Sequence, residues 1–242
     1  MKTPFQKIAV VGVGMFLTMS VIVRGDVLIY NNSTTDTGNN LSLVNGSLLG
    51  SEILLGVPSA TLTSFSYEIY SPNNVANSTG FNGNVTMEAW LYANVGTPFN
   101  GYNSPGGTAL YDSGSFPVTA PLVDPNNTSG QSVSTLTFSG LSIPVPNDFT
   151  LVVQVSGLTG TDYLGMELFD PATVGANYGD YWSNTGSGWQ LLTLSPNTTD
   201  FGSQFTGIPV PEPSMAGLDL VGGFLLAGLA WIRRRQDSAG QI

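Results

Sequence analysis

The stretch Thr61–Tyr70, TLTSFSYEIY, settles the class of fold. Phe65, Tyr67 and Ile69 fall on one side of an extended chain while Ser66 and Glu68 fall on the other, a period of two rather than the 3.6 of a helix. The same alternation recurs outward from it. Val85, Met87, Ala89 and Leu91 align within Val85–Ala93, and Leu164, Met166 and Leu168 within Tyr163–Phe169. In Phe149–Ser156 the residues Phe149, Leu151, Val153 and Val155 alternate with Thr150 and Gln154. Further candidate strands are Val27–Tyr30, Leu41–Val44, Leu110–Tyr111, Val133–Leu141, Trp189–Leu194 and Phe205–Ile208. Stretches rich in Asn, Gly, Ser and Pro separate them, at 71–84, 96–107 and 124–131, as turns require. Strands of this kind, with no helical period outside the two ends, predict an all-β fold, an antiparallel β-sandwich of jelly-roll type over residues 26–206.

Charge is distributed as unusually as hydrophobicity. The only basic residues are Lys2, Lys7, Arg24, Arg233, Arg234 and Arg235, and the chain has neither His nor Cys, so no cationic side chain lies between Asp26 and Ile232. Nucleic-acid affinity depends on Lys and Arg displacing counterions from phosphates, so a nucleic-acid partner is excluded for this body. Nucleophilic machinery built on Cys–His or Ser–His–Asp, zinc sites of His or Cys, and Walker or Schiff-base lysines are excluded with it. What remains is carboxylate chemistry. Glycoside hydrolysis needs two carboxyls about 5 to 10 Å apart, for which Glu68, Glu88 and Glu167 sit mid-strand. Such sites also commonly position sugars with basic residues, and the body has none. The expectation is therefore a non-catalytic protein, with no cofactor beyond calcium.

The two ends are hydrophobic. Lys2 and Lys7 precede an apolar stretch, Ile8 to Val23, and Val23-Arg24-Gly25 offers short residues at the cleavage-determining positions. This predicts a helical signal peptide over residues 1–25, cut between Gly25 and Asp26, the alternative being an uncleaved N-terminal anchor. Residues 215–232 are just long enough to cross a hydrocarbon core as a helix, for which roughly 20 residues are usual. Arg233, Arg234 and Arg235 would hold the tail, 233–242, in the cytoplasm with the body outside. Between body and helix, residues 207–214 read as a linker containing Pro211-Glu212-Pro213.

The order Val210-Pro211-Glu212-Pro213-Ser214, apolar helix, arginine cluster resembles the PEP-CTERM sorting signal of bacterial envelope proteins. That resemblance covers about the last 30 residues. It implies a precursor parked in the inner membrane, cleavage near Pro211-Glu212-Pro213 by an exosortase-type enzyme, and delivery of the body to the cell surface or extracellular matrix. The stretches 91–116, 145–157 and 179–192 resemble the β-rich ectodomains carried by such proteins, which implies a fold and a setting but no activity.

Within the body, two groups of residues suggest contacts. Trp90 and Tyr92 lie on the face opposite Met87, Ala89 and Leu91, with Glu88 beside them, an arrangement that can stack on sugar rings and bond hydroxyls. Trp182 and Trp189 flank a Gly/Ser turn in DYWSNTGSGW (180–189), either as a glycan-binding loop or as a hairpin whose aromatics pack beneath it. Oxygen ligands on loops suit calcium, and Asp124 with Asn126 and Asn127, or Asp170 and Asp180 with Asn184, are the candidates, although Asp and Asn in turns also cap the backbone. The expected role is a surface or exopolysaccharide-matrix component that hydrogen-bonds polysaccharide, the alternative being a dedicated carbohydrate-binding module or a glycoside hydrolase.

Overall fold

The alternating stretches become strands of one large antiparallel sheet in the computed structural model, which describes residues 25–72, 80–120, 132–194 and 200–210. No α-helix occurs among the described residues, and none of them forms a helix long and apolar enough to cross a membrane. The strands are β1 (Val27–Asn32), β2 (Asp36–Ser42), β3 (Leu48–Tyr70), β4 (Thr86–Ala93), β5 (Pro98–Phe99), β6 (Tyr102–Asn103), β7 (Gly106–Asp112), β8 (Phe116–Pro117), β9 (Val133–Ser156), β10 (Gly165–Phe169), β11 (Tyr181–Asn184), β12 (Gln190–Leu192) and β13 (Ser203–Pro209). All but the small β5–β6 hairpin belong to the main sheet.

Two long strands organise it. β3 and β9 run antiparallel from Leu48↔Gln154 to Tyr70↔Val133, with register shifts between Leu54 and Ser59 and between Leu62 and Ser64. Beyond the first shift the neighbours change. The Leu48–Leu54 half of β3 is flanked by β11, and its partner half of β9 by β4, which continues to β7 and β8. The Ser59–Tyr70 half is flanked by β13, which continues to β1, and its last residues pair with β10.

Here the structure extends the sequence reading. The predicted strands Val133–Leu141 and Phe149–Ser156 are one strand, with Pro144 and Pro146 inside it. Proline removes a ladder donor and is tolerated at a sheet edge, and in its first half β9 pairs with β3 alone. The predicted Thr61–Tyr70 likewise begins thirteen positions earlier, at Leu48. The Leu41–Val44 strand is shifted to Asp36–Ser42. At the other end of the body β13 continues through Gly207, Ile208 and Pro209, paired with Leu62, Thr61 and Ala60, so these residues belong to the sheet rather than to a linker. The predicted signal helix, the Pro211-Glu212-Pro213 motif, the span 215–232, Arg233, Arg234, Arg235 and Asp124 lie outside the described residues; Gly25 and Asp26 precede β1 and are exposed.

The core is where the alternation placed it. Phe65, Tyr67, Ile69, Met87, Ala89, Leu91, Leu151, Val153, Met166 and Leu168 are all buried. Phe65 stacks on Phe138 at 4.7 Å and on Phe205 at 5.5 Å, and meets Tyr111 edge-on at 5.5 Å. Phe149 meets Phe205 edge-on at 5.2 Å. Tyr111 and Phe149 come from one half of the sheet, Phe65 and Phe205 from the other, so these rings tie the halves together. Each such pair contributes about 0.5–1.5 kcal/mol beyond the area it buries.

Candidate binding face

Residues directly opposed across a ladder point to the same side of a sheet. Asp112 opposes Trp90, Trp90 opposes Val152, Val152 opposes Gly50, and Gly50 opposes Trp182, one row across β7, β4, β9, β3 and β11. The next row carries Tyr92, Thr150 and Glu52, and the row on the other side Glu88 and Gln154. The core residues Met87, Ala89, Leu91, Leu151 and Val153 occupy the alternate positions, so this is the outer face. The register thus brings Trp90, Tyr92 and Trp182, which the sequence separates by some ninety positions, onto one surface.

The two ends of that surface differ. At the β11 end Trp182, Val152 and Thr150 are fully buried and Glu52 is 8% exposed. Gly50 makes the packing there feasible, because a Cβ would stand 2.8 Å from Thr150 Cγ2 and 3.4 Å from Trp182 Cβ. Trp182 Nε1 donates to Glu52 Oε2 at 3.4 Å. Asn94 Nδ2 donates to Asp148 Oδ1 at 2.6 Å, and Thr150 Oγ1 donates to Asn94 Oδ1 at 2.6 Å. Glu52 and Asp148 face each other as carboxyls. Burial pushes Glu52 upward, and the charge of Asp148 and the hydrogen bond between them push it further, so the pair keeps a proton where isolated carboxyls would not. Trp182 is consequently a packed residue, as the hairpin reading of 180–189 required, and is removed from the glycan-binding candidates.

At the β7 end Trp90 and Tyr92 are half-buried, and Glu88 and Asp112 stand beside them. Trp90 Nε1 donates to no described group. Asp112 accepts the Gly114 N–H at 2.7 Å. Partial burial raises the Glu88 carboxyl, with the charge of Asp112 and their mutual hydrogen bond adding to it. Tyr92 is raised by burial and then by Asp112 and Glu88, so both carboxyls lie near its ring. An aromatic pair and a carboxyl pair therefore share an open patch.

Trp189 sits on a cavity wall rather than in the row of Trp90 and Trp182. It is half-buried on the wall of a cavity of about 510 Å³ that Thr97, Phe99, Ser104 and Pro105 line from the other side. Trp189 immediately precedes β12, and the residues it meets across the cavity belong to the segment that joins β4 to β7.

The acidic candidates are also redistributed. Asp170 accepts Asn177 Nδ2 at 3.2 Å, and one oxygen of Asp180 is buried without a partner. Both are near Asp200, which the sequence reading missed. Asp200 is fully buried and accepts Ser51 Oγ at 3.4 Å and the Gly179 N–H at 3.1 Å. Burial pushes it up to about 7, against those bonds and with Asp170 and Asp180 contributing. Among the described residues no group of three or more acidic side chains converges closely enough to hold a metal ion. Glu167 is fully buried, with neither carboxyl oxygen hydrogen-bonded to a donor. Burial pushes it up to about 8, with Asp36 and then Glu68 adding to the shift. A glycosidic bond cannot reach a carboxyl that is sealed from solvent. Glu68 and Glu167 meet between β3 and β10, while Glu88 lies apart from them on β4.

No family model, no curated protein and no solved structure matches this chain.

Proposed function

We propose that this chain is an exported, non-catalytic component of a bacterial cell surface or exopolysaccharide matrix, and that its body binds polysaccharide through the outer face around Trp90 and Tyr92. The observation that carries the binding reading is the patch itself: two half-buried aromatic rings on one strand, flanked by hydrogen-bonding carboxyls. Pyranose rings stack their C–H faces on aromatic rings while their hydroxyls take polar partners at the edge. In this reading the body is a jelly-roll-like sandwich whose two layers share the long strands β3 and β9, and whose inner faces meet at the Phe65, Phe149 and Phe205 rings. The ends supply the address. The signal peptide exports the body, the 215–232 helix and the cytoplasmic arginines hold the precursor in the inner membrane, and an exosortase-type enzyme releases it at Pro211-Glu212-Pro213.

Two measurements test the two parts. Intact mass of the native protein from inner-membrane, outer-membrane and medium fractions is expected to lack everything from about Pro213 onward outside the inner membrane; full-length protein confined to the inner membrane overturns the sorting reading. Co-sedimentation of the protein with the host's own exopolysaccharide is expected to weaken in Trp90→Ala, and unchanged retention overturns the assigned face.

A further inference from the structure

Building on the polysaccharide-binding reading, we propose that the Trp90–Tyr92 patch selects glycans carrying free primary amines, a partly de-N-acetylated amino-sugar polymer rather than a neutral or uronic-acid one. The argument begins with what the patch lacks. Every ionisable group that faces it is an acid: Glu88 on β4, Asp112 on β7 and the Tyr92 phenol, while the facing residue of β9 is the neutral Gln154, whose amide is tied to the Gly46 carbonyl at 2.8 Å. No Lys, Arg or His occurs between Asp26 and Ile232, so no side chain of the body can neutralise these carboxyls. A polymer of uronic acids would bring like charge to like charge.

Geometry adds the positive half of the case. Asp112 opposes Trp90 across the β4–β7 ladder, so Glu88, two residues before Trp90, lies diagonal to Asp112 on the same face, and the two carboxyls repel one another when both are ionised. An ammonium group relieves that repulsion, because it carries three donors and a full positive charge, where a hydroxyl or an acetamide carries no charge. Trp90 and Tyr92 alternate on one strand, so their Cα atoms are about 7 Å apart along it. The two rings can cover adjacent sugars of a chain, and an ammonium within about 6 Å of either ring gains a cation–π attraction as well. Trp90 Nε1, which donates to no described group, is free to donate to a ring hydroxyl. A peptide rich in lysine shares the charge but offers no flat C–H faces to the two rings, so the glycan is the occupant we assign.

The test is calorimetric titration of the purified full-length chain at pH 6 and low salt. The probes are a β-1,4-linked glucosamine hexamer, its fully N-acetylated form, the corresponding glucose hexamer, a hexauronate and hexalysine. The glucosamine hexamer is expected to bind at least about tenfold more tightly than the acetylated and glucose hexamers, as one ion pair with cation–π support allows, and the hexauronate not at all. Glu88→Gln with Asp112→Asn is expected to abolish the preference for the glucosamine hexamer over the neutral hexamers; the amide introduced by Asp112→Asn keeps an oxygen for the Gly114 N–H, and circular dichroism verifies the fold. Equal binding of the aminated, acetylated and glucose hexamers overturns the amine inference and leaves the polysaccharide reading standing. Binding of none of the sugars to the folded protein overturns both. Hexalysine binding as tightly as the glucosamine hexamer, or a preference that survives the double substitution, overturns the assignment to this patch.

Discussion

The outer face of the sheet carries two tryptophans in one row, and they do opposite things. Trp182 at the β11 end is sealed over Gly50 with its Nε1 on Glu52, whereas Trp90 at the β7 end stays half open with its Nε1 free of described partners. Each has a carboxyl pair beside it, Glu52 with Asp148 and Glu88 with Asp112. In a body without cations the carboxyls pair with each other, and burial then decides what the pair is for. Where solvent is excluded the pair is part of the packing; where it is not, the pair is available to a ligand.

Substitution of the tryptophans tests that contrast most strongly. Trp182→Ala is expected to lower the unfolding free energy by about 3–5 kcal/mol, as for a large aromatic removed from a core, and Trp90→Ala by no more than about 1 kcal/mol, both read from urea denaturation midpoints. Equal losses would make Trp90 a packing residue and close the candidate face. Gly50→Ala is next, with an expected loss of about 1–3 kcal/mol from overpacking against Thr150 and Trp182; a neutral result would show that the β11 end has slack.

Titration gives a smaller effect with a defined sign. Glu167 at about 8 and Asp200 at about 7 hold protons in the folded chain that the unfolded chain releases near pH 4 to 5. Between those limits the native state binds more protons, so stability is full below the ordinary carboxyl range and falls as pH rises towards 8. Thermal melts from pH 5 to 9 are expected to show a steady decline. Glu167→Gln cannot ionise and is expected to be more stable than the natural chain at pH 8 by about 1 kcal/mol or more, while Glu88→Gln, on the open end, stays within about 0.5 kcal/mol at every pH. A flat melting profile would remove the buried-proton account. The smallest effect is expected from chelator: because no three acidic groups converge among the described residues, excess EDTA should leave the melting temperature unchanged, and a clear drop would show that a bound cation stabilises the fold.

Much of the fold was legible in advance. The faces of Thr61–Tyr70, Val85–Ala93 and Phe149–Ser156 are the observed ones, because a period of two with one apolar side has only one way to bury itself. What escaped was continuity. Gly56, Pro58, Pro144 and Pro146 lie outside the candidate strands, yet β3 and β9 run through them, since two antiparallel strands can carry bulges and edge prolines as a unit. The binding patch was half legible. Trp90, Tyr92 and Glu88 announced themselves by their spacing, but Asp112 joined them only through the β4–β7 register, and no local pattern distinguishes Trp182 from Trp90.

The amino-acid sequence by itself determined the β class, the core face of each main strand and the absence of any cation from the body, because these follow from local alternation and composition. Which carboxyls meet, which tryptophan is buried and which face stays open were decided by the pairing of strands a hundred residues apart. Burial and pairwise electrostatics depend on distances in space, and those come into being only when β3 closes on β9.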